Sequence, residues 1–214
     1  MTGLKNYFWQ FKKALCKDTC NRFVELGRSK EEKLGVIFEG ENMGEFKSAP
    51  STKKEKQDLF KKRNCHVAWL EDPWIYELIH PYIHLANHQA GWNFEWDWSE
   101  KAQFTIYKEK QFYGWHADSS PTPSSNMNEP NSFGKIRKIT CLIQLTDPSE
   151  YEGGCTQLDP RQDDPDKEKK NISIVTKEQG SIICFPSFIW HRAQPVTKGI
   201  RHSINMFNWG KPFK

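Results

Sequence analysis

The chain has 214 residues, a net charge of +4, 27% charged and 14% aromatic residues. Nine Trp and fourteen Phe argue for a packed core and against disorder. The mild positive charge does not by itself imply a nucleic-acid partner. No run approaches the ~20 apolar residues needed to cross a bilayer.

The N-terminal residues MTGLKNYFWQFKKALC lack the apolar stretch of an export leader, so a cytoplasmic location is expected. Residues 12–27 alternate apolar and polar positions at helical spacing and predict a helix that stops at Gly27. Residues 42–64 are rich in lysine (Lys53, Lys54, Lys56, Lys61, Lys62) with few apolar positions, and read as an exposed loop. Residues 73–90 start at Pro73 and read as a second helix. Pro81 inside it removes a hydrogen bond and favours a kink, which leaves one helix or two segments open.

The pattern changes at residue 103. QFTIY, KITCLIQL, GSIICF and IRHSINMF are short runs of β-branched and aromatic residues separated by Gly, Pro or Asp, and predict strands. No βαβ alternation accompanies them. Helices followed by many strands indicate an α+β, mainly β fold whose strands close into a sandwich or barrel. Two polar stretches, 119–135 and 160–171, are too long for tight hairpins and are expected as lids or binding loops. The six cysteines (16, 20, 65, 141, 155 and 184) are scattered without zinc-knuckle spacing and are expected as reduced thiols. The chain is expected to form one domain, with residues 1–99 as a helical support and 100–210 as a catalytic core.

The residues that carry chemistry begin with His116-Ala117-Asp118. In a strand, positions i and i+2 share a face, so this His and carboxylate can grip one ion from one side. His191 closes the run GSIICFPSFIWH, where an apolar strand would turn at Pro186 and leave the histidine at a rim. Two His and one carboxylate form the facial triad of Fe(II) oxygenases, which leaves three positions of an octahedral iron open. Arg201 follows in an apolar run, and a buried guanidinium there needs an anion. A 2-oxo diacid chelating the metal would offer its distal carboxylate. Tyr107 and Tyr113 precede the motif and are either site residues or ordinary sheet aromatics. Trp115 and Trp190 adjoin the ligands and either shape the pocket or pack the core. A rival metal stripe, His80, His84 and His88, lacks the Glu of a zinc-protease helix.

QFTIYKEKQFYGWHADS, ITCLIQLTDPSEYEGGCTQL with its Gly153-Gly154 turn, and GSIICFPSFIWHRAQPVTKGIRHSINMFNW occur in the order of the central and closing strands of prolyl-4-hydroxylase-like 2-oxoglutarate oxygenases. The chain resembles that family over about residues 64–210, most closely its bacterial and viral peptidyl-hydroxylase members. The resemblance implies a double-stranded β-helix (jelly roll) with N-terminal flanking helices. It implies His116, Asp118 and His191 as catalytic iron ligands, Arg201 and Tyr107 as 2-oxoglutarate contacts, and Gln144 where some members place a co-substrate-binding Tyr. Tyr113 and Trp115 become substrate-side candidates. Fe(II), 2-oxoglutarate and O2 are the implied cofactor and co-substrates, with ascorbate suggested as a further one. The carboxylate of Asp118, absent from related halogenases, points to hydroxylation with decarboxylation of 2-oxoglutarate to succinate. The expected partner is a peptide or protein carrying the proline (or lysine) to be hydroxylated, with neither nucleic acid nor membrane. Three alternatives stay open: hydroxylation of a free amino acid or small metabolite, a non-catalytic jelly-roll binding protein, and nucleic-acid demethylation.

Overall fold

The computed structural model describes residues 4–35, 52–160 and 172–213. In chain order the first half contains β1 (Trp9–Phe11), α1 (Lys17–Ser29), β2 (Lys33–Leu34), α2 (Lys53–Lys62), β3 (Arg63–Asn64), β4 (His66–Leu70) and α3 (Pro73–Gln89). Then follow β5 (Trp98–Ser99), β6 (Ala102–Tyr107), β7 (Phe112–His116), β8 (Ile136–Gln144), β9 (Tyr151–Gly153) and β10 (Thr156–Asp159). The last strands are β11 (Ser173–Ile174), β12 (Ile182–Pro186), β13 (Trp190–Ala193), β14 (Val196–Gly199) and β15 (Arg201–Gly210).

The strands pair antiparallel. A large sheet runs β1-β12-β8-β15-β6-β4-β2, with β5 also on β15. A smaller sheet runs β11-β10-β13-β7-β3, and β14 pairs with β9. This is the expected jelly roll with flanking helices. The turn between β9 and β10 needs Gly153 and Gly154, whose φ values of 71° and 59° are left-handed.

Both faces of the large sheet are covered, and side chains alternate between them. Phe104 and Ile106 of β6, Ile139, Cys141 and Ile143 of β8, and Ile204 and Met206 of β15 join one apolar cluster. That cluster also holds Phe23 of α1 and Ile75, Ile79 and Ile83 of α3. Full burial of each such side chain contributes roughly 1.5–3 kcal/mol. The intervening residues Gln103, Thr105, Thr140, Gln144, Arg201 and Ser203 are also buried, but they are polar. They face the other way, between the two sheets.

Three expectations are corrected here. The first helix starts at Lys17, five residues later than its apolar spacing suggests. Residues 9–11 instead pair with β12, and Lys13 turns the chain at φ 50°. Gly27 does not stop that helix. It lies inside it because a Cβ there would come within 2.4 Å of the Phe104 ring. Within the lysine-rich stretch, residues 53–62 form a helix, not a loop, and Arg63–Asn64 form a strand. Residues 42–51 and 161–171 lie outside the described residues. Pro81 does not divide α3, which runs unbroken from Pro73 to Gln89. Its exposed ring costs one backbone bond, while Ile75, Ile79, Ile83 and Ala86 hold the opposite face in the core.

Gly27 seats α1 on the sheet, so Gly27→Val should force the helix off Phe104. The expected cost is about 1–3 kcal/mol, read as a lower midpoint in thermal unfolding.

Candidate metal and co-substrate site

β7 and β13 are neighbours in the small sheet, and their register sets His116 opposite His191. Asp118 lies just past the end of β7. Its backbone N–H and that of Ser119 both donate to the Ser187 carbonyl, at 2.8 and 3.0 Å. Those bonds fold the chain back so that the carboxylate meets both imidazoles. His116 Nε2 is 3.5 Å from Asp118 Oδ1, and His191 Nε2 is 3.2 Å from Oδ2. The three ligand atoms lie within 4.8 Å of one another, and no other metal-ligand cluster exists among the described residues.

The chemistry of this donor set fits a divalent iron. His116 Nδ1 lies 2.8 Å from the Gly114 carbonyl oxygen, and His191 Nδ1 lies 2.9 Å from that of Ile189. A carbonyl only accepts, so each Nδ1 carries the proton and each Nε2 lone pair faces the shared point. Thr140 Oγ1 donates to Asp118 Oδ2 at 2.8 Å and sits 3.0 Å from Ser187 Oγ. The ionisation pattern follows from the same crowding. Burial and neighbouring His191 push His116 down to about 4. Burial would push Asp118 up, but the two histidines outweigh it and hold it well below the usual carboxylate range. Burial would likewise lower His191, yet the Asp118 carboxylate raises it.

Beyond the triad lies a narrow cleft lined by Tyr107, Tyr113, Thr156, Arg201 and Ser203, among others. Arg201 is 2% exposed. Its Nε and Nη2 donate to Gln144 Oε1 at 3.3 and 3.0 Å, and Nη2 also donates to Thr156 Oγ1 at 3.1 Å. The guanidinium stands 5.3 Å from the centre of the Tyr107 ring. Burial, above all, raises the Tyr107 hydroxyl well beyond its ordinary range, so it is a neutral donor. Tyr113 stacks on His116 and is pushed up to about 12, again mainly by burial.

A second cavity, of about 430 Å³, adjoins this cleft and shares Asp118 and Arg137 with it. Trp69, Trp98, Ile136 and Trp209 give it apolar walls, and Ser120, Thr122, Asn126 and Ser132 bring in the 119–135 loop. Lys33, Lys101 and Glu129 also line it, and two further charged residues there form a buried pair: Arg137 donates to both Glu100 oxygens, at 2.7 and 2.9 Å. Asp118 borders both cavities.

The structure therefore brings together His116, Asp118, His191, Tyr107, Tyr113, Gln144 and Arg201. Trp115 lines neither cavity, and the Arg192 guanidinium lies 4.7 Å from its ring. His80 bonds Ser99 Oγ and His84 stacks on Trp96, so these two serve packing, and the stripe forms no metal cluster among the described residues. Sequence reasoning missed Thr140, Ser187, Thr156, Glu100 and Arg137. Only Thr156, directly after Gly153-Gly154-Cys155, had a local signal.

Thr140→Val keeps the shape and removes the hydroxyl that orients Asp118. The protein should stay folded and bind Fe(II) about 10–100-fold more weakly, as measured by anaerobic metal titration.

The family model of the 2OG-Fe(II) oxygenase superfamily matches residues 102–209, half of the chain. A PKHD-type hydroxylase of Aliarcobacter butzleri is 35% identical over 98 residues, 46% of this chain and 38% of that protein. One from Xylella fastidiosa (strain 9a5c) is 32% identical over 109 residues, 50% of this chain and 42% of that protein. The match thus spans about two fifths of these relatives' length. Among solved structures, a viral collagen prolyl hydroxylase from Paramecium Bursaria Chlorella virus-1, in complex with 2-oxoglutarate, aligns with a TM-score of 0.64 at 16% identity, covering 98% of this chain and 99% of that one. A Trichoplax adhaerens prolyl hydroxylase, in complex with a hypoxia inducible factor peptide fragment, aligns with a TM-score of 0.65 at 16% identity, covering 96% and 84%. At such identities these structures show a shared fold, whereas the matched family model spans both the His116–Asp118 motif and His191: the chain belongs to the 2OG-Fe(II) oxygenase superfamily.

Proposed function

We propose that this chain hydroxylates a C–H bond of a peptide, a prolyl residue first and a lysyl residue second, while 2-oxoglutarate is decarboxylated to succinate. His116, Asp118 and His191 hold Fe(II), which supplies the activation of O2. Arg201 takes the distal carboxylate of 2-oxoglutarate. Its hydrogen-bond partners among the described residues are neutral oxygens, and a buried guanidinium without an anion is costly. Gln144 and Thr156 aim that guanidinium, and Tyr107 adds a neutral hydroxyl to the same cleft. Residues 100–210 form the catalytic core, and the elements before them support it.

The observation that carries the peptide reading is the second cavity. Its apolar aromatic walls suit an uncharged ring or the stem of a long side chain. A free amino acid would bring an ammonium and a carboxylate to it. The buried charges there, Arg137 and Glu100, are already committed to each other, and breaking a buried pair costs several kcal/mol, so only Lys33, Lys101 and Glu129 could answer those termini. A peptide has neither terminal charge at the reacting residue. The likeness to PKHD-type hydroxylases supports the same choice. The cytoplasm is the compartment that suits six free thiols. No helix among the described residues is long and apolar enough to cross a membrane.

Incubation with Fe(II), 2-oxoglutarate and O2 should yield succinate in step with one added oxygen on a proline-containing peptide, and His116→Ala should abolish both. Succinate formation stimulated by free amino acids but by no peptide would transfer the assignment to a small metabolite. A partner bound equally well by wild type and His116→Ala, with no succinate from either, would mark a binding protein.

A further inference from the structure

The phenol ring of Tyr113 is held between two planar groups. On one side lies the His116 imidazole, with ring centroids 3.5 Å apart and planes 12° from parallel. The Arg63 guanidinium carbon lies 4.4 Å from the same Tyr113 centroid. At these separations the imidazole and guanidinium cannot share one face, so they occupy opposite faces. Arg63 reaches this position because β3 pairs with β7, setting Arg63 opposite Tyr113 and Asn64 opposite Phe112.

The guanidinium is itself fixed. Arg63 is 3% exposed. Its Nε donates to Cys65 Sγ at 3.0 Å and its Nη2 donates to Gln103 Oε1 at 3.0 Å. Bonds from two edges of a rigid fork define its plane. A second contact comes from the preceding residue. The Lys62 carbonyl oxygen approaches Gly114 so closely that a Cβ there would lie 3.1 Å from it. Gly114 is the residue whose own carbonyl accepts the hydrogen bond from His116 Nδ1.

We infer that Arg63 is a positioning residue for the metal centre, acting through Tyr113 to fix the plane of the His116 imidazole. The Nδ1 bond to Gly114 sets the tautomer and one direction of the ring, but it leaves the ring free to tilt about that bond. Tyr113 blocks the tilt by lying flat on the imidazole, and Arg63 backs Tyr113 from behind with a cation on the π face. The α2–β3 segment is thus a clamp on the metal-bearing strand, although it lies outside the matched family region. This inference rests on His116 being a ligand.

The test uses Co(II) as an optical probe of the full chain, because its visible ligand-field spectrum reports ligand geometry. Wild type, Arg63→Lys and Arg63→Met are titrated with Co(II), and folding is checked by circular dichroism and thermal unfolding. Arg63→Met should bind Co(II) about tenfold more weakly, with an altered visible spectrum. Arg63→Lys keeps the charge but loses the flat fork, so it should fall between the other two. Folded Arg63→Met with wild-type affinity and spectrum would overturn the inference. Should Arg63→Met not fold, Arg63→Lys decides by the same criterion. Failure of the wild type to bind Co(II) would overturn the metal site itself, and is distinguishable because it precedes any comparison of variants.

Discussion

The large sheet has no solvent face, and everything at its centre depends on how the two-residue period divides its side chains. In β15 the order is Arg201, His202, Ser203, Ile204, Asn205, Met206. Ile204 and Met206 join the cluster beneath the helices. Arg201, Ser203 and Asn205 line the cleft beside the triad. A slip of one residue would exchange the sets and bring a guanidinium to the opposite face, where His202 stacks on Phe104. Burying a lone charge there would cost far more than the whole stability of a domain of this size. The site's polarity therefore helps to enforce the register, and the register in turn places the site.

Within the polar interior, two arginines are handled differently, and the difference has functional weight. Arg137 is paired face to face with Glu100, and it also lies 3.9 Å from the centre of the Phe207 ring. Trp209 Nε1 donates to the same carboxylate. This charge is cancelled locally. Arg201 instead receives oxygens of an amide and a hydroxyl, which orient a guanidinium without neutralising it. One arginine completes a wall. The other keeps its charge among neutral oxygens, which is what the proposed co-substrate role requires.

The parts of this arrangement that could be read from the residues are those with a local signature. HxD two apart, a histidine closing an apolar run and an arginine in a further apolar run ten residues on are all short-range patterns, and the structure unites them. The supporting groups are different in kind. Thr140 reaches Asp118 across 22 positions and Ser187 across 47, so neither is visible before the strands are in register. Gln144 stood out only through the family resemblance, and its bond to Arg201 spans 57 positions. The helix at Lys53–Lys62 escaped because KKEKQDLFKK shows little apolar spacing. Its run of Lys, Glu and Gln is nonetheless rich in good helix formers, so propensity held the signal that periodicity lacked. Gly27 shows the converse: a residue that usually ends helices sits inside one because Phe104 needs the space.

Asp118 is the point at which these separate constraints meet. Its side chain faces His116, His191 and Thr140, and its backbone N–H is held by Ser187. Its carbonyl lies 3.4 Å from Arg137 Nη1. The residue that anchors the aromatic cavity is thus tied to the backbone of a triad member. Moving the Arg137–Glu100 pair would shift the carboxylate relative to both imidazoles, and a ligand displaced by a few tenths of an ångström loses much of its bonding geometry. For a hydroxylase the same link has a positive use. Under the proposed function, the wall that would receive the target C–H bond and Asp118 share one support, the Arg137–Glu100 pair, so the fold sets the distance between them.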